Sequence, residues 1–431
     1  MARTGKASLL IIFVTVFIDL LGFGIIMPLL PRYGKHFIVD DANGFILGML
    51  MASFSAMQFL FAPIWGRISD RAGRRPILIL GLAGSTISYA LFGLATSWDP
   101  ATTVWGLSPL AWLFLTRIGA GIAGATISTA QAYVADVTDS KGRGKGMALI
   151  GAAFGIGFTF GPLIGAFFVG DNPDAPPSPM PGYVASIMSG LALLFAIVRL
   201  PESLTEQSHV SHRGWLNFGS FANAVTKPAI GPILLCIFLA TLAFAQLEST
   251  LALLTQHFDM SARDNFYVFA YIGLILMIAQ GGLIRALIPR VGEKRMATAG
   301  VFLMVIGLGL LAFVADGGTR LQMYLILPIS VVGFAAFNPS IQALLSLRSA
   351  QTDQGGILGL GQSMSSIARI LGPIIGIVLF ESHVQYPYWC SALVMLIAGG
   401  LVFLIAPARH EDVGTPATDA PIAEEPATDA P

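Results

Sequence analysis

Long apolar runs dominate the chain, separated by short polar stretches. They lie near residues 7–31, 44–65, 76–96, 109–133, 146–169 and 182–200, then 229–254, 265–288, 297–315, 321–346, 356–380 and 386–406. A helix needs about 20 mostly apolar residues to cross the hydrocarbon core, so each run predicts one spanning helix, twelve in all. Membrane strands would read as alternating segments of about 10 residues, whereas these runs are continuous and longer. The first is too long for a signal-peptide core and no small-residue cleavage site follows it, which predicts a retained helix. The expected fold is all-α and integral to the membrane, with twelve transmembrane helices in two pseudo-symmetric six-helix bundles. The bundles are expected at 1–200 and 229–407, with a cytoplasmic linker at 201–228 and a disordered cytoplasmic tail at 408–431.

Composition agrees with this reading. Of 431 residues, 55% are hydrophobic and 11% charged, against about 25% charged in soluble domains. Such a chain has too few charges to cover a water-soluble surface. The net charge of zero says nothing of partners, but its distribution sets an orientation. With the N-terminus inside, eighteen Lys and Arg fall on one face, among them Arg67, Arg71, Arg74, Arg75, Lys294 and Arg295. Four fall on the other: Arg32, Lys35, Arg263 and Arg320. Cations concentrate in cytoplasmic loops, so both termini are expected in the cytoplasm, for a multi-pass protein of the inner membrane. Cys236 and Cys390 sit in apolar runs, as buried free thiols do. The tail carries PATDAP twice in a Pro-, Ala- and acid-rich stretch, a composition that cannot build a core. His209 and His212 in the linker read as solvated side chains, and no metal site is expected.

The chain resembles itself. At an offset of 211 residues Gln131-Ala132 falls on Gln342-Ala343, Gly144 on Gly355, and Gly161-Pro162-Leu-Ile-Gly165 on Gly372-Pro373-Ile-Ile-Gly376. At an offset of 219, Arg71-Ala-Gly73 falls on Arg290-Val-Gly292, both followed by charged residues. The change in offset fits a longer connection near 97–108 than near 316–320. Repeated six-helix halves form a transporter architecture with its site near the midplane.

An ionisable group in the membrane is costly and therefore a functional candidate. Asp19, Arg117, Glu248 and Arg369 all lie inside apolar runs. Two acids and two bases cancel, so two readings stand: they pair to hold the bundle together, or a carboxylate carries a proton while an Arg tunes it. Gln58, Gln131, Gln246, Gln280, Asn338, Gln342 and Gln362 could line a cavity or bridge helices. Gly119-Ala-Gly121-Ile-Ala-Gly124 matches the dinucleotide fingerprint in form only. It lies inside an apolar helix, where it reads as close packing. No GxxxxGK[ST] loop occurs, so the energy source is expected to be an ion gradient. No cofactor, no catalytic residue and no nucleic-acid partner are expected.

These residues resemble the major facilitator superfamily, in particular its twelve-helix drug:proton antiporters and the tetracycline-exporter branch. Asp19-Leu-Leu-Gly22-Phe-Gly24-Ile-Ile-Met-Pro28-Leu-Leu-Pro31 is similar to that group's first-helix motif. Gly66-Arg67-Ile-Ser-Asp70-Arg71-Ala-Gly73-Arg74-Arg75-Pro76 is a full copy of the superfamily's loop motif. The stretch from Leu113 through Arg117 to Gly121, running on to Asp136, resembles the fourth-helix motif, and 157–165 the fifth-helix antiporter motif. The resemblance implies proton-coupled efflux of amphipathic drugs by alternating access, with a role in antibiotic resistance. It implies a monomer exchanging protons for a small molecule across the lipid bilayer. Asp19, Arg117, Glu248, Arg369, Gln58, Gln246 and Asn338 are expected around the proton and substrate cavity. Gly66, Asp70, Arg71, Gly73, Arg74, Arg75 and Asp136 are expected to form a cytoplasmic gate. Its ion pairs would hold that side shut and break when it opens. Gly161-Pro162 and Gly372-Pro373 are expected to kink their helices. A proton-linked importer, a sugar or metabolite exporter, and a non-transporting sensor are the alternatives. Three departures count: Ser88 stands where tetracycline exporters carry an acid, Pro289 where the first loop copy has Asp70, and Ala166 where the antiporter motif ends in Gly.

Overall fold

A computed structural model describes residues 2–38, 44–138, 143–172, 175–204, 230–348 and 354–405. The expected linker from residue 205 onward, with its two histidines, and the expected tail lie outside the described residues. Fifteen α-helices are named here in order: α1 Ala2–Ile26, α2 Leu30–Phe37, α3 Gly44–Ala72, α4 Arg74–Ala95, α5 Pro109–Gly124, α6 Ile127–Val137, α7 Arg143–Ala166 and α8 Met180–Arg199. The second half contains α9 Gly231–His257, α10 Ala262–Ile278, α11 Arg285–Val291, α12 Glu293–Gly317, α13 Arg320–Leu347, α14 Gln354–Ser382 and α15 Tyr386–Leu404. Eleven described segments are long and apolar enough to span a membrane. In α7 the apolar stretch Gly155–Ala166 is shorter. Among the described residues there is no strand beyond one isolated bridge, Val104 with Leu107.

Three spans differ from the apolar pattern. The first stops at Ile26, because Pro28 and Pro31 interrupt the ladder and restart it as α2. The fourth breaks at Ala125 and Thr126 into α5 and α6. The eighth passes from α10 to α11 through a π-helical turn at Ala279–Ile284, which contains Gly281 and Gly282. Such turns insert an extra residue per ring and recur at functional sites.

Glycines set the closest approaches. A Cβ on Gly161 would lie 2.8 Å from Gly24 Cα, so α7 and α1 touch backbone to backbone. In the second half a Cβ on Gly372 would lie 2.6 Å from Ala245 Cβ, the same junction between α14 and α9. Both prolines that follow, Pro162 and Pro373, lie inside continuous helices. The glycine run in α5 packs as well: Cβ atoms on Gly119 and Gly121 would meet Ser88 Oγ at 2.7 Å and Phe54 O at 2.5 Å.

The two halves meet along two seams, α3 against α14 and α7 against α10. Call the face bearing Arg67, Arg71, Arg74, Arg75, Arg290 and Lys294 the basic face. Burial along the seam helices is one-sided. In α3 the buried residues run from Gly44 to Phe54, and then only Ser69 is buried. In α10 burial ends at Gly273, and the stretch toward the basic face is largely exposed. The halves are therefore closed at the far face and parted toward the basic face. Leu253, Phe266 and Ile377 of the second half are embedded among Ile25, Leu29, Leu47 and Leu50 of the first, sealing the far side.

Candidate functional site

Parting of the halves leaves a cavity of about 330 Å³ near the middle of the spans. Its walls are mostly apolar, with Phe244 and Phe334 stacked at 3.9 Å between ring centroids, and with Phe158, Phe269, Leu251 and Met277 around them. Four polar side chains face it: Glu248 from α9, Gln280 from the π-helical turn, Asn338 from α13 and Arg369 from α14. Glu248 and Arg369 sense one another's charge, yet no oxygen of one comes within 4.0 Å of a nitrogen of the other. The four make no hydrogen bond to the protein among the described residues.

Asp19 and Arg117 stand elsewhere. Asp19 Oδ1 accepts a hydrogen bond from Ser189 Oγ at 2.8 Å, which ties α1 to α8. Arg117 is 2% exposed, with its guanidinium 4.6 Å from the centre of the Phe54 ring. Its Nε and Nη1 find no acceptor among the described residues. Tyr89 lies within electrostatic reach of both Asp19 and Arg117. The four intramembrane charges thus form two sites, one enclosed in the first half and one facing the cavity in the second. Gln58 Nε2 donates to Gly124 O at 3.2 Å and bridges α3 to α5. Gln246 is fully buried and does not line the cavity.

The loop motif is built around Arg74, which is 8% exposed. Its Nη1 meets Asp70 Oδ1 at 2.5 Å and donates to Ser69 Oγ at 2.7 Å, while Nε meets Asp136 Oδ2 at 3.2 Å. Glu202, after α8, accepts from the backbone N–H groups of Arg74 at 2.8 Å and Arg75 at 3.1 Å, occupying the N-terminus of α4. Arg75 Nη2 donates to Ile197 O at 2.7 Å. Gly66 faces open space, and Arg71 lines a shallow groove with Ile64, Arg67 and Ile68. All partners of Arg74 belong to the first half, and they are engaged while the basic face is open. In this conformation the network braces one half internally; it does not bridge the two.

Among the described residues the hydrogen bonds that bridge the halves lie at the far face, and the sequence reading had not assigned them. Arg32 Nη2 donates to Met260 O at 2.6 Å, and Asn265 Nδ2 to Pro28 O at 2.8 Å. Arg263 pairs with Asp171 at 2.5 Å and donates to Ala166 O at 3.2 Å and Val169 O at 3.0 Å. A capping box between Ser261 and Asp264 starts α10 and aims Arg263 and Asn265 across the seam. Their signal was present: Arg32 and Arg263 are two of only four cations on the cation-poor face.

Apolar helices of spanning length, two packed halves and a charged central cavity open to one side define a multi-pass membrane transporter. The chain belongs to the Major Facilitator Superfamily, whose family profile matches residues 12–349 and again 283–428. Tetracycline resistance protein, class C, of Escherichia coli is 30% identical over 415 residues, covering 95% of this chain and 98% of its own length. Multidrug resistance protein 2 of Bacillus subtilis is 29% identical over 405 residues, with 93% and 95% covered. Among solved structures, the human organic anion transporter MFSD10 (TETRAN) is 24% identical with a TM-score of 0.68, covering 92% of this chain and 99% of that one. At that identity the likeness shows the fold.

Proposed function

We propose that the protein is a proton-coupled exporter of amphipathic drugs in the inner membrane, working by alternating access. The carrying observation is the central cavity, in which a carboxylate and a guanidinium face an aromatic wall and make no bond to the protein among the described residues. The positive-inside rule makes the basic face cytoplasmic, so the structure is inward-facing with both termini inside. Twelve spans in two six-helix bundles rock about the α3–α14 and α7–α10 seams, and a single chain supplies the whole cavity. Glu248 is the group for which substrate and proton compete. Asp19, hydrogen-bonded to Ser189 and sharing Tyr89 as an electrostatic neighbour with Arg117, is the second proton-carrying carboxylate and links its state to α8. The names of the bacterial relatives, tetracycline and multidrug resistance proteins, support efflux of drugs.

Dye efflux from everted vesicles or drug-sensitive cells, with and without an uncoupler, tests the reading. Uncoupler-sensitive efflux is expected, and Asp19→Asn and Glu248→Gln should each remove the coupled component while the protein still inserts. Efflux that ignores the uncoupler would sink proton coupling.

A further inference from the structure

The cavity's charge pattern carries more than the word amphipathic. Arg369 and Gln280 are exposed and Glu248 and Asn338 half-buried, so water serves these side chains in the empty cavity, and a ligand that displaces it must replace its hydrogen bonds. Glu248 and Arg369 are close enough to feel each other's charge and too far apart to bond, and neither has another partner among the described residues. Asn338 and Gln280 share that condition at the same cavity. A gap between opposite charges, lined by spare amide groups and floored by the Phe244–Phe334 stack, is complementary to a dipolar ligand with a flat apolar body.

Charge counting sharpens the choice. Empty, with Glu248 ionised, the pair sums to zero. A cation brings the cavity to one positive charge and lies near Arg369. An anion brings one negative charge and lies near Glu248. A zwitterion leaves the sum at zero and satisfies both side chains, its ammonium on Glu248 and its carboxylate on Arg369. We infer that the preferred substrates are amphipathic zwitterions, aromatic molecules whose amine and acid lie together at one end and bridge Glu248 and Arg369. This rests on the reading of the central cavity as the substrate site.

A matched dansyl series tests it on the purified full chain in nanodiscs. Nε-dansyl-lysine is the zwitterion, dansylcadaverine lacks its carboxylate, N-dansyl-6-aminohexanoate lacks its amine, and dansyl-pentylamide lacks both. Fluorescence titration should show the zwitterion binding about tenfold or more tighter than each of the others, the worth of one charge-assisted hydrogen bond. Glu248→Gln should weaken the zwitterion and the cation and spare the anion. Arg369→Gln should weaken the zwitterion and the anion and spare the cation. The inference is overturned if the neutral probe binds as tightly as the zwitterion, if either variant weakens all four alike, or if none of the four binds. Binding needs no proton gradient, so these outcomes are separate from the uncoupler experiment. Selective binding with uncoupler-insensitive efflux would remove the coupling and keep the substrate class.

Discussion

At residues 73 and 292 the chain makes the same turn twice. Gly73 has φ 100° and ψ 155°, Gly292 φ 88° and ψ 150°, a backbone region open essentially only to glycine. In each copy the cation two residues after the last Arg-X-Gly arginine's glycine partner reaches the end of its half's final helix: Arg75 donates to Ile197 O, and Lys294 to the carbonyls of Phe403 and Ile405. There the likeness stops. Where the first loop has Asp70, Arg74 and Asp136, the matching positions of the second are Pro289, Glu293 and Leu347. The turn and its helix-capping cation recur at both places, since a helix end leaves carbonyls to satisfy wherever it falls. The acidic network belongs to the first half alone, so control of the basic face is expected to be one-sided.

The largest expected difference is at the glycines themselves. Gly73→Ala places a Cβ on the Glu202 carboxylate, whereas a Cβ at Gly292 meets nothing within 4 Å. Both substitutions force alanine into a glycine region, at about 1–3 kcal/mol each. At Gly73 the displaced Glu202 also releases the N–H groups of Arg74 and Arg75, adding about 1 kcal/mol for a partly solvated contact. Thermal unfolding in detergent should rank Gly73→Ala below Gly292→Ala, with efflux following the same order. Equal losses would show that Glu202 contributes nothing beyond the turn.

Next comes the pair Arg74→Ala and Lys294→Ala. Removing Arg74 leaves Asp136 with the Ser203 hydroxyl alone and Asp70 without its guanidinium, and efflux at equal expression should fall about tenfold, the kinetic equivalent of roughly 1.4 kcal/mol. Lys294 donates only to carbonyls at a helix end, which water can take over. Its loss should change efflux by less than about twofold. If Lys294→Ala is the worse of the two, the assignment of control to the first half is wrong.

Much of this was legible in the sequence, and the reason is physical. A span must be apolar for its whole crossing, so the runs located the helices, and charges inside them stood out. Asp19, Arg117, Glu248 and Arg369 were found in that way. Their grouping was not, because depth along a helix is readable and rotation about its axis is not. Asp19 and Arg117, expected with Glu248 around one cavity, are enclosed among α1, α4, α5 and α8, while Glu248 and Arg369 face the opening. The π-helical turn that carries Gln280 has no composition that marks it, beyond its paired glycines. The far-face bridges depended on which loops meet, which only packing of the two halves decides.

The smallest effect tests how much of the network is needed. Changing Pro289→Asp together with Glu293→Arg would give the second loop an acid and a base four residues apart, the spacing of Asp70 and Arg74. An exposed pair of this kind contributes about 0–1 kcal/mol. With Leu347 where the first half has Asp136, there is no second acid to hold the guanidinium. Removing Pro289 from within α11 adds one backbone donor without filling any void, since α11 buries none of its residues. Efflux should therefore stay within about twofold of the parent, and stability should barely move. A marked slowing of transport by this double change would mean that a single acid–base pair is enough to control a face. Asp136 and Glu202 would then be bracing for the first half and no part of its switch.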